Sequence, residues 1–237
     1  MRLLIDAGNT RIKWAVVNGS EWLHNGVLPT EAASELSVHM GNLCHVREVW
    51  VSNVAGEKVE RHIRDTGVER TYFIDAQESQ CGVRNGYTVP AQLGSDRWAA
   101  LIAVWSLTPG ESLVVNCGTA TTIDTLSAQG EFAGGLILPG MELMQRCLAE
   151  SSSGIQMGSG KYTGFPQNTS DALFSGAVQA TCGAIERQHE LLGASASVIL
   201  SGGAAGILKP YLGIPVRCIE NLVLQGLLLI ARETGGT

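Results

Sequence analysis

Two segments of this chain, about 110 residues apart, repeat one pattern. Residues 3–10 (LLIDAGNT) and residues 114–121 (VVNCGTAT) each lead an apolar run into a polar residue, followed two positions later by a glycine. Each pattern predicts a buried strand that ends in a tight turn, whose backbone N–H groups and short side chains can hold a phosphate or its metal. The repeat therefore predicts a phosphate clamped between two related domains.

The chain is long enough for two domains of moderate size, since it has 237 residues. We place the boundary near Pro109, which gives domains at residues 1–108 and 109–237. The repeat sets this boundary, because no low-complexity linker marks it. Hydrophobic residues make up 45% of the chain and charged residues 16%, which is typical of a compact, ordered protein.

Charge, cysteine spacing and hydropathy narrow the possible functions. The formal net charge is −6 and the basic residues are scattered, which disfavours nucleic-acid binding. The six cysteines lie 30 or more residues apart, so the usual structural zinc signatures are absent and reduced thiols are expected. No apolar stretch approaches the roughly 20 residues that span a bilayer, and no signal-peptide pattern follows Met1. We expect a cytoplasmic protein without a membrane segment.

Periodicity and turn signals predict alternating strands and helices around the two turns. Asn18-Gly19 is a strong hairpin signal, and Ser95 or Gly94 can cap a helix that places Asp96 in its first turn. The residues 151–168, rich in Ser and Gly, are predicted to form a mobile loop. The predicted strands include residues 3–6, 48–54, 71–74, 113–115, 121–126, 132–138 and 198–200, and the predicted helices are 98–105, 171–192 (capped by Ser170 or Asp171) and 221–232.

Asp6, Asn9 and Thr10 are candidate phosphate or metal ligands at the first turn. An isolated Asp-x-Gly segment is often only an Asx-turn that satisfies its own backbone. The amide and hydroxyl that follow Asp6, and the matching second turn, favour the functional interpretation. Neither turn is a Walker A loop or a Gly-x-Gly-x-x-Gly fingerprint.

Asp96 has two interpretations from the residues alone. It can complement the helix dipole, a contribution of roughly 0.3–1 kcal/mol, or act as a general base that deprotonates a hydroxyl in phosphoryl transfer. Arg97 can likewise bind a carboxylate or phosphate, or be a solvated surface charge. The residue types leave both choices open.

Taken in order, the motifs resemble a known superfamily. Residues 6–10, 118–122 and 201–203 resemble the two phosphate motifs and the adenosine motif of actin-like ATPases and sugar kinases. Within that superfamily, residues 94–97 (GSDR) and 134–140 (GGLILPG) resemble type III pantothenate kinase most specifically. Gly86-Tyr87 with Pro90, and Asn168-Thr169, fit the same family, so that the match runs from Leu3 to Gly203.

The resemblance implies an α/β fold of two duplicated actin-like ATPase (ribonuclease H-like) domains, each with a mixed sheet flanked by helices, and a nucleotide cleft between them. It also implies a homodimer and an ATP-dependent phosphorylation of pantothenate to 4'-phosphopantothenate, the first step of coenzyme A biosynthesis. A general base, and Mg²⁺ with hydroxyl or backbone donors for ATP, are what such a transfer needs.

Site residues follow from the resemblance by position. Asp96 would be the general base, Asp6 would hold Mg²⁺ through water, and Asn116 would lie at the K⁺ or NH₄⁺ site. The family has an aspartate at that last position, and an amide offers a cation only a dipole, so we expect weaker dependence on the monovalent cation. The ATP-binding residues would be Asp6, Ala7, Gly8, Asn9, Thr10, Arg11, Ile12, Lys13 and Thr119, and the pantothenate-binding residues Tyr87, Gly94, Ser95, Asp96, Arg97 and, from the partner subunit, Thr169.

Two alternatives remain at this point. A kinase of the same fold could act on another small alcohol, because fold does not fix substrate. Relatives named as accessory transcription factors also suggest a nucleotide-binding regulator. The acidic balance and the lack of a helix-turn-helix pattern or basic arm argue against direct DNA binding.

Overall fold

The computed structural model describes residues 1–39, 45–151 and 160–235. Residues 152–159 of the segment predicted as a mobile loop, and Cys44, lie outside the described residues. The chain divides into two compact units, the first made of Met1–Leu107 with Asn221–Thr237 and the second of Thr108–Glu220. The sequence division differs from this one, since it ended the first domain at residue 108 and assigned 221–237 to the second.

Strands and helices alternate along the chain. The strands are β1 (Arg2–Ala7), β2 (Arg11–Asn18), β3 (Glu21–Pro29), β4 (Glu48–Asn53), β5 (Arg70–Phe73), β6 (Ser79–Gln80), β7 (Val83–Asn85), β8 (Ser112–Cys117), β9 (Ala120–Leu126), β10 (Glu131–Pro139), β11 (Ser197–Ser201) and β12 (Arg217–Cys218). The helices are α1 (Leu36–His39), α2 (Glu57–Arg64), α3 (Ser95–Leu107), α4 (Met141–Ser151), α5 (Thr169–Leu192), α6 (Ala205–Leu208) and α7 (Leu222–Gly235).

The first unit contains a five-stranded mixed sheet in the order β3-β2-β1-β4-β5. Strand β1 pairs antiparallel with β2 and parallel with β4. Successive side chains of a strand point to opposite faces, and here Leu3 and Ile5 join a core cluster with Val59 and Ile63 of α2. Asp6 therefore lies on the other face of β1.

The second unit contains strands in the order β12-β11-β8-β9-β10. Strand β8 runs parallel to β11 and antiparallel to β9, so this sheet is also mixed. Its core includes Leu113 and Val115 of β8 and Val178 and Ile185 of α5. Two mixed sheets with flanking helices confirm the predicted fold class.

The observed helix boundaries agree in part with those predicted from the sequence. Helix α3 begins at Ser95, which confirms Asp96 in its first turn. The predicted cap of the long helix was wrong, because α5 begins at Thr169 and its cap is Asn168, whose side-chain oxygen accepts the Asp171 N–H at 2.9 Å. Among the described residues no helix combines the length and the apolar character needed to span a membrane.

The C-terminal helix α7 packs closely on α3 within the first unit. A Cβ atom on Gly226 would overlap the backbone carbonyl of Ala99, which is why a side chain is missing at this position. Ala99 lies one turn after Ser95. The α7 contact therefore helps to hold the first turns of α3 in place.

We predict that Gly226→Ala destabilises the protein by about 2 kcal/mol, because the added methyl group forces two helices apart. Gly183→Ala in α5 is the matched control, since a Cβ there meets nothing within 4 Å and alanine is the better helix former by about 1 kcal/mol. Thermal denaturation should show a lower midpoint for Gly226→Ala and an unchanged or higher one for Gly183→Ala. A Gly226→Ala midpoint equal to that of the unmodified protein would contradict the close contact.

Candidate active site

The first turn of the repeat, between β1 and β2, is tight in the structure. The Gly8 N–H donates to the Arg11 carbonyl at 3.1 Å, and the Thr30 hydroxyl donates to the Gly8 carbonyl at 2.6 Å. The side chains of Asn9, Thr10 and Arg11 are exposed there. The side chains of Ala7 and Ile12 are fully buried in the core, so only the backbone of these two residues can face a ligand.

Asp6, at the end of β1, carries the most perturbed carboxylate of this turn. Burial raises the pKa of Asp6 to about 7, the charge of Lys13 opposes this rise, and the charge of Asp96 adds to it. Lys13 is the residue that faces Asp6 across the β1–β2 pairing. A cation beside Asp6 would relieve this electrostatic cost, so the residue suits a metal held near phosphates.

Ser52 links the Asp6 strand to helix α3. It lies on β4 in register with Asp6 and is fully buried. Its hydroxyl is 2.9 Å from the hydroxyl of Ser95, the first residue of α3. The sheet and this hydrogen bond together bring Asp96 to the same face as Asp6.

Asp96 is a half-buried carboxylate at the start of α3. Its Oδ1 atom accepts the Arg97 N–H at 2.9 Å. Burial raises the pKa of Asp96, although the hydrogen bond and the charge from Arg97 oppose the rise. A Cβ on Gly94 would come within 2.6 Å of Oδ1, so glycine at this position leaves room for the carboxylate.

Arg97 is held beside an aromatic ring. Its Nη1 atom donates to the Tyr87 hydroxyl at 3.2 Å, and its guanidinium lies 5.8 Å from the centre of the Tyr87 ring. Asn85 shapes this loop, because its Oδ1 atom accepts the Tyr87 N–H at 3.0 Å and its Nδ2 atom donates to the Pro90 carbonyl at 3.2 Å. A guanidinium presented in this way can bind a carboxylate or a phosphate.

The second unit holds the other predicted turn. The Gly118 N–H donates to the Ala120 carbonyl at 3.0 Å, and the Gly140 N–H donates to the Thr119 carbonyl at 2.9 Å. A Cβ on Gly202 would lie 2.8 Å from the Asn116 Oδ1 atom, so the segment 201–203 passes directly beside this turn. Within the second unit, the glycine-containing segments 118–122, 134–140 and 201–203 therefore meet at one end of the sheet.

Two buried hydroxyls beside the second turn have no hydrogen-bond partner within the described part of the chain. They belong to Thr121 and Thr122, and Thr122 is in register with Asn116. Unsatisfied buried hydroxyls are rare and often mark a site for water or an ion. Thr169 is placed elsewhere in this unit, exposed at the start of α5.

The structure thus places the predicted residues in two groups. The first unit brings together Asp6 to Lys13, Tyr87 and residues 94–97, while Asn116, Thr119 and Thr169 belong to the second. Sequence reasoning missed Ser52 and Asn85. The Asn85-Gly86 pair is a turn signal that could have identified Asn85, whereas the role of Ser52 depends on strand register.

Chemically, the first unit offers two carboxylates with different surroundings and one anchored guanidinium. Within residues 1–39, 45–151 and 160–235, no three His, Cys, Asp or Glu side chains form a group able to hold a metal. A divalent ion beside Asp6 would need further oxygens from water and substrate phosphates, which is the usual coordination of Mg²⁺. The second carboxylate, Asp96, remains available to accept a proton.

The sequence model of the type III pantothenate kinase family matches residues 2–190. A relative described as a type III pantothenate kinase, from Nitrosospira multiformis, is 47% identical over 99% of this chain and 92% of its own length. Another relative with the same description, from Aromatoleum aromaticum, is 46% identical over 98% of both chains.

Solved structures share the fold at lower identity. A Campylobacter jejuni protein, provisionally described as a Baf family transcriptional activator, has a TM-score of 0.66 at 23% identity and covers 99% of this chain and 100% of its own. A Sinorhizobium meliloti protein, provisionally described as a 2-dehydro-3-deoxygalactonokinase, has a TM-score of 0.60 at 15% identity and covers 100% of both chains. At these identities the likeness concerns the fold alone, and the regulator description carries no weight for function.

We predict that Asp6→Asn stabilises the metal-free and nucleotide-free protein at pH 8 but not at pH 4. The pKa of Asp6 is raised to about 7 in the folded protein, so stability falls as pH rises from the ordinary aspartate pKa toward 7. The amide removes this loss. Thermal denaturation in a chelator, at several pH values, should show a midpoint difference that grows with pH.

Asp75→Asn is the matched control, because Asp75 is exposed. It should leave the denaturation midpoint nearly unchanged across the same pH range. An Asp6→Asn variant that is no more stable than the unmodified protein at pH 8 would show that Asp6 is solvated or already neutralised.

Proposed function

The chain belongs to the type III pantothenate kinase family, and from this premise we propose that it transfers the γ-phosphoryl group of ATP to the terminal hydroxyl of pantothenate. The product is 4'-phosphopantothenate, which makes the reaction the first step of coenzyme A biosynthesis. The observation that carries the proposal is the pair Asp6 and Asp96 on one face of the first unit, linked through Ser52 and Ser95. Those two carboxylates fit two different tasks.

Asp96 is the general base in this proposal. The pantothenate hydroxyl oxygen forms a bond to the γ-phosphorus, the bond between that phosphorus and the bridging oxygen of ADP breaks, and the hydroxyl proton moves to the Asp96 carboxylate. Burial raises the pKa of Asp96, which makes its carboxylate a better proton acceptor than a solvated one. ADP leaves with the bonding electrons.

Arg97 and Tyr87 bind the acceptor. The guanidinium pairs with the pantothenate carboxylate, and the Tyr87 hydroxyl holds the guanidinium in place. Gly94 and Ser95, which directly precede Asp96 on the chain, are proposed to line the same pocket. In this assignment, neighbouring residues fix the acceptor's charged end and its reacting hydroxyl.

Residues 6–13 of the first turn are proposed to contact the ATP phosphates, and Thr119 is proposed as a further phosphate contact, as the family membership implies. Members of a kinase family use ATP with a divalent metal, and we propose Mg²⁺ held by Asp6 through water. When bound, the ion supplies positive charge to the phosphate oxygens. Lys13, which lies opposite Asp6 in the β1–β2 register, contributes a further positive charge at this turn.

A monovalent cation, K⁺ or NH₄⁺, is proposed beside Asn116. The unsatisfied hydroxyl of Thr122, in register with Asn116, is a neutral oxygen that suits such an ion. The Asn116 amide provides a dipole where a carboxylate would provide a full charge. Cation binding is therefore weaker here than at a site with aspartate.

We predict that Asp96→Asn lowers turnover by about 10²-fold or more while ATP still binds, because the amide cannot accept the hydroxyl proton. The purified proteins are incubated with pantothenate, ATP and Mg²⁺, and phosphopantothenate and ADP are quantified together with parallel reactions on simple sugars. The unmodified protein should form both products in equal amounts with pantothenate only. Near-normal turnover of Asp96→Asn would show that Asp96 is not the general base and only starts the helix. Phosphorylation of a sugar in place of pantothenate would show that the acceptor is a sugar.

Thr169 is proposed to complete the pocket from a second copy of the chain, so that activity requires a homodimer. Mixing Asp96→Asn and Thr169→Ala protomers should then give partial activity that neither homodimer has. Each mixed dimer would contain one site with an intact Asp96 and an intact Thr169. Verified subunit exchange without recovered activity would place Thr169 in the same subunit as its base, or outside the site.

A further inference from the structure

Ser52 is a buried polar residue to which the proposed reaction assigns no role. Ser52 is 0% exposed, and its hydrogen-bond partner Ser95 is 8% exposed. A hydroxyl buried to this degree is removed from bulk water, and the hydrogen bond to Ser95 satisfies it. Either hydroxyl can be the donor.

The hydrogen bond fixes the segment that carries the acceptor-binding residues. Ser95 opens α3 and directly precedes Asp96 and Arg97. The Ser95 hydroxyl is hydrogen-bonded to Ser52 of β4. The backbone at the start of α3 is held separately, because the Trp98 N–H donates to the Gly94 carbonyl at 3.0 Å. A shift of Ser95 would move both the carboxylate and the guanidinium.

We propose that Ser52 is a positioning residue, whose hydroxyl anchors Ser95 on β4 and so sets the direction in which Asp96 and Arg97 meet the acceptor alcohol. The inference rests on the proposed function. Ser52 acts through Ser95 and touches no substrate. If Ser52 donates this hydrogen bond, the Ser95 hydroxyl proton is available to the acceptor. If Ser95 donates it, only the Ser95 lone pairs are available.

The effect of Ser52 is limited to the acceptor. Asp6 is held by main-chain pairing of β1 with β2 and β4, and this pairing does not use the Ser52 side chain. Loss of the hydroxyl should therefore leave ATP use unchanged. A general loosening of the sheet would instead weaken the use of both substrates.

The test is Ser52→Ala, which removes a single oxygen atom. Steady-state kinetics should show kcat/KM for pantothenate about tenfold lower, as expected from the loss of one hydrogen bond, with the KM for ATP within about twofold of the unmodified protein. Ser112→Ala is the matched control. Ser112 is also fully buried, and its hydroxyl donates to the Gly110 carbonyl at 3.4 Å, but it belongs to the second unit and should not alter the kinetics.

A double-mutant cycle separates positioning from a direct effect. Ser95→Ala should lower kcat/KM for pantothenate, and adding Ser52→Ala to it should cause no further loss, because the bond is already gone. Should Ser52→Ala fail to fold, Ser52→Cys keeps a side chain of similar size but only a weak donor, and it should show the same kinetic loss.

Pantothenate kinetics within about twofold of the unmodified protein for a folded Ser52→Ala or Ser52→Cys would overturn the inference. So would additive losses in the cycle, or an equal loss in Ser112→Ala. If the unmodified protein phosphorylates pantothenate and a folded Ser52→Ala does so with kcat/KM within about twofold of it, the inference alone fails. If the unmodified protein does not, the proposed function fails and the inference fails with it.

Discussion

The parallel pairing of β1 with β4 is the constraint on which the candidate site depends. It sets Asp6 level with Ser52 on the face opposite the α2 core cluster, and the hydroxyl pair Ser52–Ser95 then joins this face to α3. A slip of one residue in this pairing would turn the polar side chain of the slipped strand into the apolar core. The apolar neighbours Ile5 and Val51 prevent such a slip, since both are fully buried in that core.

Placing a carboxylate on this face has a cost. Burial raises the pKa of Asp6 to about 7, so the ionised form is disfavoured in the absence of ligands. Strained or costly groups of this kind persist where a function requires them. Lys13 compensates this cost only in part, so the cost fits a residue that would be fully neutralised by the proposed metal.

The sequence predicted the repeated turns, the mixed sheets and the position of Asp96 in a first helical turn, because strand periodicity and turn residues act locally. It did not predict that α7 belongs to the first unit, since the contact of Gly226 with Ala99 joins residues far apart in the chain. Ser52 was missed for the same reason. The role of Ser52 depends on its register with Asp6, and the neighbouring residues in the sequence do not indicate that register.

The pH dependence of kcat/KM for pantothenate, at saturating ATP and Mg²⁺, tests the central claim that Asp96 accepts the hydroxyl proton. We expect activity to fall on the acid side with an apparent pKa above that of an ordinary aspartate, because burial raises the pKa of Asp96. This acid limb should be absent from the residual activity of Asp96→Asn. An acid limb that is the same in both proteins would contradict the claim.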